Sequence, residues 1–301
     1  MKANLPNGLD RNRVLHQVTV DRATEREADS PGKIRPRHRF FRKQLVLPAE
    51  HGSWSWLLIP YFAGVLVAGR LNLPALLVLI GGLAGFLVRQ PALTYMRIRA
   101  GRGRKADGPL AAFWAAFFAF VALVCFVGLL ILGRVELLWL LVPMAAILTL
   151  YLAASRQRRL NMRTLWMELA GAAGLSAMAP AAYIAVTGNL SSIAWILWGF
   201  MAGQNVSSVF YVRARIADTH HRPVNRSLVL WTHLAILLAV TPFVLSGSVS
   251  WLAIMPFVAY VVRAGWVYSS ERPVKNIKSF GFREIGVQSL GGLFIAAGFL
   301  I

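Results

Sequence analysis

Cysteine is almost absent from this sequence: Cys125 is the only one in 301 residues. That excludes an intrachain disulfide and a cysteine-cluster metal site. Cys125 lies inside an apolar stretch, where it reads as a small buried hydrophobe. Acidic residues are also scarce. Asp and Glu number 12 against 32 Lys and Arg, giving a net charge of +20. Past residue 43 the carboxylates are Glu50, Asp107, Glu136, Glu168, Asp218, Glu271 and Glu284. No two are spaced to hold a metal from one helix, and Mg²⁺ usually takes one or two carboxylates along with phosphate oxygens. No metal and no Mg²⁺ cofactor are therefore expected. Charged residues make up only 15% of the chain, against about 25% in soluble domains. Residues 1–43 contain no apolar core of a signal peptide, so no cleaved leader is expected there.

Long apolar stretches fill the space that charge leaves. The chain is 57% hydrophobic, and the stretches fall at roughly 54–69, 73–90, 110–132, 137–154, 164–186, 190–211, 227–246, 249–268 and 284–301. Most are near the length that crosses a hydrocarbon core of about 30 Å. Each lone span must satisfy its own backbone hydrogen bonds, which selects helices. The stretches also lack the alternation of barrel strands. The fold class expected is an all-α polytopic membrane bundle with nine transmembrane helices. Two regions follow: a disordered basic tail over 1–43 and a membrane domain over 44–301. The tail ends in Lys33, Arg35, Arg37, Arg39, Arg42 and Lys43, which should lie against anionic cytoplasmic lipid.

Positive charge alternates along the chain. The even gaps hold Arg97, Arg99, Arg102, Arg104 and Lys105; then Arg156, Arg158, Arg159 and Arg163; then Arg213, Arg215, Arg222 and Arg226; then Arg272, Lys275, Lys278 and Arg283. The odd gaps hold Arg70, Arg134 and nothing more. Cytoplasmic loops are enriched in Lys and Arg, so the N-terminus is placed inside and the C-terminus outside. The same rule accounts for the net charge without a nucleic-acid partner. Trp54, Trp56, Trp139 and Trp251 open apolar stretches as interfacial anchors. The expected location is a membrane, with the N-terminus on its cytoplasmic side and lipids as partners.

The ends of the second and sixth stretches resemble each other. Gly85-Phe86 leads to Gln90, Tyr95 and Arg97-x-Arg99; Gly199-Phe200 leads to Gln204, Tyr211 and Arg213-x-Arg215. Both copies fall on the same predicted membrane face, and duplicated helical units often carry a site at their interface. Nine helices with paired polar loops after the second and sixth resemble the UbiA superfamily of intramembrane prenyltransferases. That family places Asn-Asp-x-x-Asp motifs in those loops to hold Mg²⁺ on a prenyl diphosphate; this chain carries arginines instead. A closer local likeness begins at Leu47-Pro48-Ala49-Glu50-His51-Gly52-Ser53-Trp54. With Arg89-Gln90-Pro91, Glu168-Leu169-x-Gly171, Tyr211-Val212-Arg213-x-Arg215 and Gly281-Phe282-Arg283-Glu284, it resembles the YwiC-like family of bacterial membrane proteins. That resemblance implies a family but no activity.

Candidate site residues follow from charge type. Arg97, Arg99, Arg213 and Arg215 could bind phosphate in bidentate fashion without a metal. Gln90, Gln204 and Asn205 add neutral donors, and Asp218, Arg283 and Glu284 complete the predicted ligand-binding set at a cytoplasmic mouth. The simpler reading is topology-setting charge that touches lipid phosphates. Glu50 and His51 either cap the first helix or act as a base or proton relay. Glu168, a turn inside the fifth stretch, is the third catalytic candidate and should pair with a cytoplasmic Arg, as should Glu284. Arg263 is expected to snorkel, and His233 to be a packing residue. Gly81, Gly82 and Gly85, then Gly171 and Gly174, then Gly291 and Gly292, mark close helix packing. Three functions are compatible with these residues. The first is binding of an anionic lipid or isoprenoid diphosphate; if it includes catalysis, the enzyme is a divergent, metal-independent prenyltransferase-like transferase. The others are a small-molecule transporter or exporter and a non-catalytic membrane assembly partner.

Overall fold

The computed structural model describes residues 52–101, 103–155 and 160–301. The tail over 1–43, the Glu50-His51 pair, and Arg102, Arg156, Arg158 and Arg159 of the basic gaps lie outside the described residues. Among the described residues every regular element is helical. In chain order the α-helices are α1 Gly52–Val67, α2 Leu73–Arg99, α3 Gly108–Ile131, α4 Leu141–Ser155, α5 Leu160–Ser176, α6 Met178–Thr187, α7 Ser192–Thr219, α8 Arg226–Leu245, α9 Met255–Ser269 and α10 Ile277–Gly298. Short 3₁₀ turns at Lys105–Asp107, Val135–Leu140 and Trp251–Ala253 lead into α3, α4 and α9.

Asparagine starts three of these helices. The side chains of Asn72, Asn225 and Asn276 accept from the backbone N–H groups of Ala75, Leu228 and Ser279, at 3.0, 3.0 and 3.1 Å. Each satisfies one of the donors left free at a helix N-terminus. Prolines stand in the first turn of α2, α3 and α9, where a missing N–H costs nothing.

Several predicted boundaries are corrected. The second and sixth stretches do not end at 90 and 211; α2 and α7 run on to Arg99 and Thr219. Arg97, Arg99, Arg213 and Arg215 therefore sit on helices rather than in loops, because a charged surface turn interrupts apolarity without breaking a helix. The ninth stretch begins earlier, at Ile277. The fifth is two helices, broken at Ala177. Pro180 explains the break, since it has no N–H for the Ser176 carbonyl and its ring crowds that turn. The Ala177 N–H bonds Gly174 O at 3.1 Å, and the Ala173 carbonyl accepts from Trp198 Nε1 at 3.0 Å instead.

Helix α1 packs against α6 and α10, α2 against α3, α4 against α5, and α8 and α9 against each other and α7. Gly64 permits the α1–α6 contact, because a side chain there would strike the Ala179 carbonyl. Connections meet at two opposite ends. At one, Arg70 and Asn72 both donate to Val186 O, at 3.3 and 3.4 Å, and Ser250 N–H donates to Gly298 O at 2.7 Å. At the other, Arg215 Nε donates to Arg272 O at 2.7 Å and Arg226 pairs with Asp218 at 2.6 Å. This second end carries the basic residues.

Five helical segments are long and apolar enough to cross a membrane: Leu73–Arg99, Lys105–Ile131, Thr164–Thr187, Arg226–Leu245 and Trp251–Ser269. Gly52–Val67 and Val135–Leu150 are apolar but shorter. Helices α7 and α10 have the length and carry more polar residues. Their polar side chains are turned inward: Gln204, Asn205, Ser207, Ser208, Glu284 and Gln288 are buried in the bundle.

Candidate functional site

Two features stand out inside the helical bundle. The first is an apolar cleft of about 790 Å³ bounded by α2 and α3 on one side and α4, α5 and α6 on the other. Along α2 its lining runs from Leu77 to Leu93, a length of about 24 Å at 1.5 Å per residue. Gly81, Gly82 and Gly85 form its α2 floor, and Gly171 and Gly174 face it from α5. The predicted small-residue clusters thus shape a cleft as well as helix contacts. Cys125 lines it, and Arg89 lies toward its basic end.

Arg97 and Arg99 continue α2 beyond that end, and both are exposed. Arg99 reaches the Tyr95 hydroxyl at 3.4 Å. Gln90 is partly buried one turn before Thr94, whose hydroxyl donates to the Gln90 carbonyl at 2.9 Å. Met167 also lines the cleft, and its neighbour Glu168 pairs with Arg213 at 2.9 Å. An arginine partner was expected for Glu168, and Arg213 is one.

The remaining predicted ligand residues are engaged elsewhere. Arg215 donates to Tyr211 Oη at 2.7 Å and lies among the rings of Tyr211, Trp266 and Phe280. Asp218 is buried, accepting from Arg226 and from the Arg272 N–H at 2.8 Å. These two residues fasten α7, α8 and the α9–α10 connection. Asp218 has its charge met by Arg226, and Arg215 has a carbonyl, a phenol and three ring faces around it. Helices α2 and α7 are not a major packing pair. Arg283 is exposed beside buried Glu284.

The second feature is a buried polar cluster among α1, α7, α8, α9 and α10. Gln204 and Asn205 were expected to face an anion at the mouth; they lie some fifteen residues inside α7, about 22 Å from its end. Gln204 Nε2 donates to Gln288 O at 3.0 Å and its Oε1 accepts from Tyr260 Oη at 3.1 Å. Gln288 accepts from Ser55 Oγ at 2.8 Å and donates to Ser208 Oγ. Asn205 Nδ2 donates to Ser176 Oγ at 2.8 Å and Trp56 O at 3.1 Å, tying α7 to α5 and α1. Glu284 pairs with Arg263 at 2.5 Å. The arginine does not snorkel: it lies 4.0 Å over the Tyr211 ring, where a carboxylate and an aromatic face replace water.

The sequence carried a signal for this cluster. Gln204, Ser208, Tyr211, Arg215 and Asp218 recur at four- and three-residue intervals, one stripe of a helix with Ser207 beside it. Glu284, Gln288 and Gly291 do the same on α10. Tyr260 and Ser55, single polar positions in apolar runs, gave no comparable pattern.

Comparison with known proteins bears on the cleft. Residues 47–183 match the family model of YwiC-like proteins. Uncharacterized protein YwiC of Bacillus subtilis (strain 168) is 24% identical to the chain over 237 residues, covering 77% of this chain and 90% of that protein. No solved structure matches the chain. All cleft-lining residues, from Leu57 to Ala181, fall inside the YwiC-like segment. Of the polar cluster, Ser55 and Ser176 lie in it; the α7–α10 members lie beyond it.

Proposed function

We propose that this protein is a multi-pass membrane protein that binds a long-chain anionic lipid. The chain lies in the apolar cleft and the anionic head meets the basic end of α2. The observation that carries the reading is the cleft itself: about 790 Å³, apolar along its length, with Arg89 at the end where the basic residues gather. Ligand sites have this size and this mixture of apolar walls with few polar groups. Arg97 and Arg99 stand two or more turns further along the same helix, where a phosphate could meet their guanidinium groups. A phospholipid and an isoprenyl diphosphate share the chemistry required, an apolar chain with a phosphate head.

The same reading takes the nine apolar stretches as membrane crossings in the bacterial cytoplasmic membrane, a layout similar to the UbiA type. The basic end faces the cytoplasm, and residues 1–43 form a cytoplasmic tail. It assigns binding and no chemical step.

Cys125 offers a direct test, because the only thiol of the chain lines the cleft. Alkylation by N-ethylmaleimide is followed by mass spectrometry while geranylgeranyl diphosphate, or a phosphatidylglycerol, is titrated in. Protection by either supports the reading and names the source. Arg97→Ala should raise the protecting concentration about tenfold, roughly 1.4 kcal/mol. Equal alkylation rates with and without both lipids would overturn it.

A further inference from the structure

The polar cluster differs from the cleft in every property, and the four helices that build most of it share one order along their length. From the basic end inward, α7 passes from Tyr211 and Ser208 through Gln204 to Met201 and Leu197. Helix α9 passes from Arg263 through Tyr260 to Phe257, α10 from Glu284 through Gln288 to Ile295, and α8 from His233 to Val240. All of these except Arg263 are buried. A polar layer near the basic end thus gives way to an apolar layer beyond it. Phe200 anchors that second layer, with Phe243, Phe257 and Phe299 packed edge-on around it at 6.2, 5.7 and 5.7 Å.

Within the polar layer is a small, partly open space of about 10 Å³. That is roughly the probe-occupied volume of a single water molecule. Its walls include Ser207, Ser208, His233, Tyr260, Arg263 and Glu284. His233 Nδ1 lies 2.7 Å from the Val229 carbonyl. A contact that short to an oxygen acceptor requires the proton on Nδ1, which leaves Nε2 of the neutral ring as an acceptor. Ser207 is buried, and its hydroxyl makes no hydrogen bond among the described residues. A donor and an acceptor are therefore available at the space. Arg263 and Glu284 cancel each other's charge, so nothing there favours a small cation over a neutral molecule.

We infer that this space is a binding site for one water molecule, held by His233 and Ser207 beside the Arg263–Glu284 pair and exchanging with the basic end only. A polar site with two to four partners holds water where an apolar void stays dry. The aromatic layer closes the route to the other end.

The test uses full-length protein labelled with ¹⁵N-histidine in lipid bilayers, with His233 assigned by His233→Gln. Solid-state NMR should show Nδ1 protonated, Nε2 bare, and magnetisation transfer from water to Nε2. Ser207→Val, which fills the space with methyl groups, should remove the transfer while the melting temperature stays close to wild type. If that variant does not fold, Ser207→Ala should weaken the transfer. A proton on Nε2, or no transfer from water in the wild-type protein, would overturn the site. Vesicles containing the protein should conduct protons no faster than empty ones; faster conduction would overturn the closed end.

Discussion

Gly291 shows how much a single carbon can decide. The hydrogen bond from Tyr260 to Gln204 passes so close to α10 that any side chain at 291 would overlap both partners. Gly291→Ala should therefore destabilise the protein by about 1–3 kcal/mol, the usual cost of overpacking. Gly286 lies on the same helix with open space around it, so Gly286→Ala should be neutral or mildly stabilising through helix propensity. Thermal unfolding in detergent compares the two, and equal shifts would contradict the packing argument. The Arg263–Glu284 pair makes a second case. Removing one partner leaves the other charge poorly solvated inside the bundle; the cost is about 3–5 kcal/mol for a fully buried pair and less here, where Arg263 is partly exposed. Glu284→Gln alone should cost more than Glu284→Gln combined with Arg263→Met. A double mutant less stable than Glu284→Gln would refute that account.

The break in the fifth stretch is the element with most at stake. Pro180 opens it, and two side chains from α7 reach it: Trp198 Nε1 donates to the Ala173 carbonyl and Asn205 Nδ2 to the Ser176 hydroxyl. Trp198→Phe keeps a ring and removes the donor, leaving a half-buried carbonyl unpaired at about 1 kcal/mol. Hydrogen exchange should speed up around residues 174–180 and little elsewhere. Uniform acceleration would mean a general loss of packing.

These elements also show how far the sequence could be read. All nine apolar stretches contain helix, because apolar length is the strongest signal such a chain carries. Their ends were less legible, since Arg97 and Arg213 read as loop while the helices ran on beneath them. Pro180 was visible and was passed over inside a continuous apolar run. Glu168 found an arginine as expected. Arg215 was right in chemical type for an anion site, yet it folds back onto Tyr211, as Asp218 does onto Arg226; only the three-dimensional path of α7 and α8 reveals that.

For the whole molecule, the alternation of charge gives a prediction about orientation. With Cys125 replaced by Ser, Arg222→Cys and Ser248→Cys place single thiols at exposed sites on opposite ends. A membrane-impermeant maleimide applied to intact cells should label the second and spare the first until the membrane is opened. The reverse pattern would invert the orientation, and labelling of both would contradict the single arrangement of crossings.

The order of polar and aromatic layers has an electrical consequence. In the proposed membrane setting a voltage falls mostly across material of low dielectric constant, and that includes the apolar layer around Phe200. One elementary charge moved through 100 mV exchanges about 2.3 kcal/mol with the field. Arg263 and Glu284 lie on the polar side of that layer and sum to zero charge. Voltage therefore exerts almost no net force on the pair, and the protein can keep ions within its interior without becoming a voltmeter.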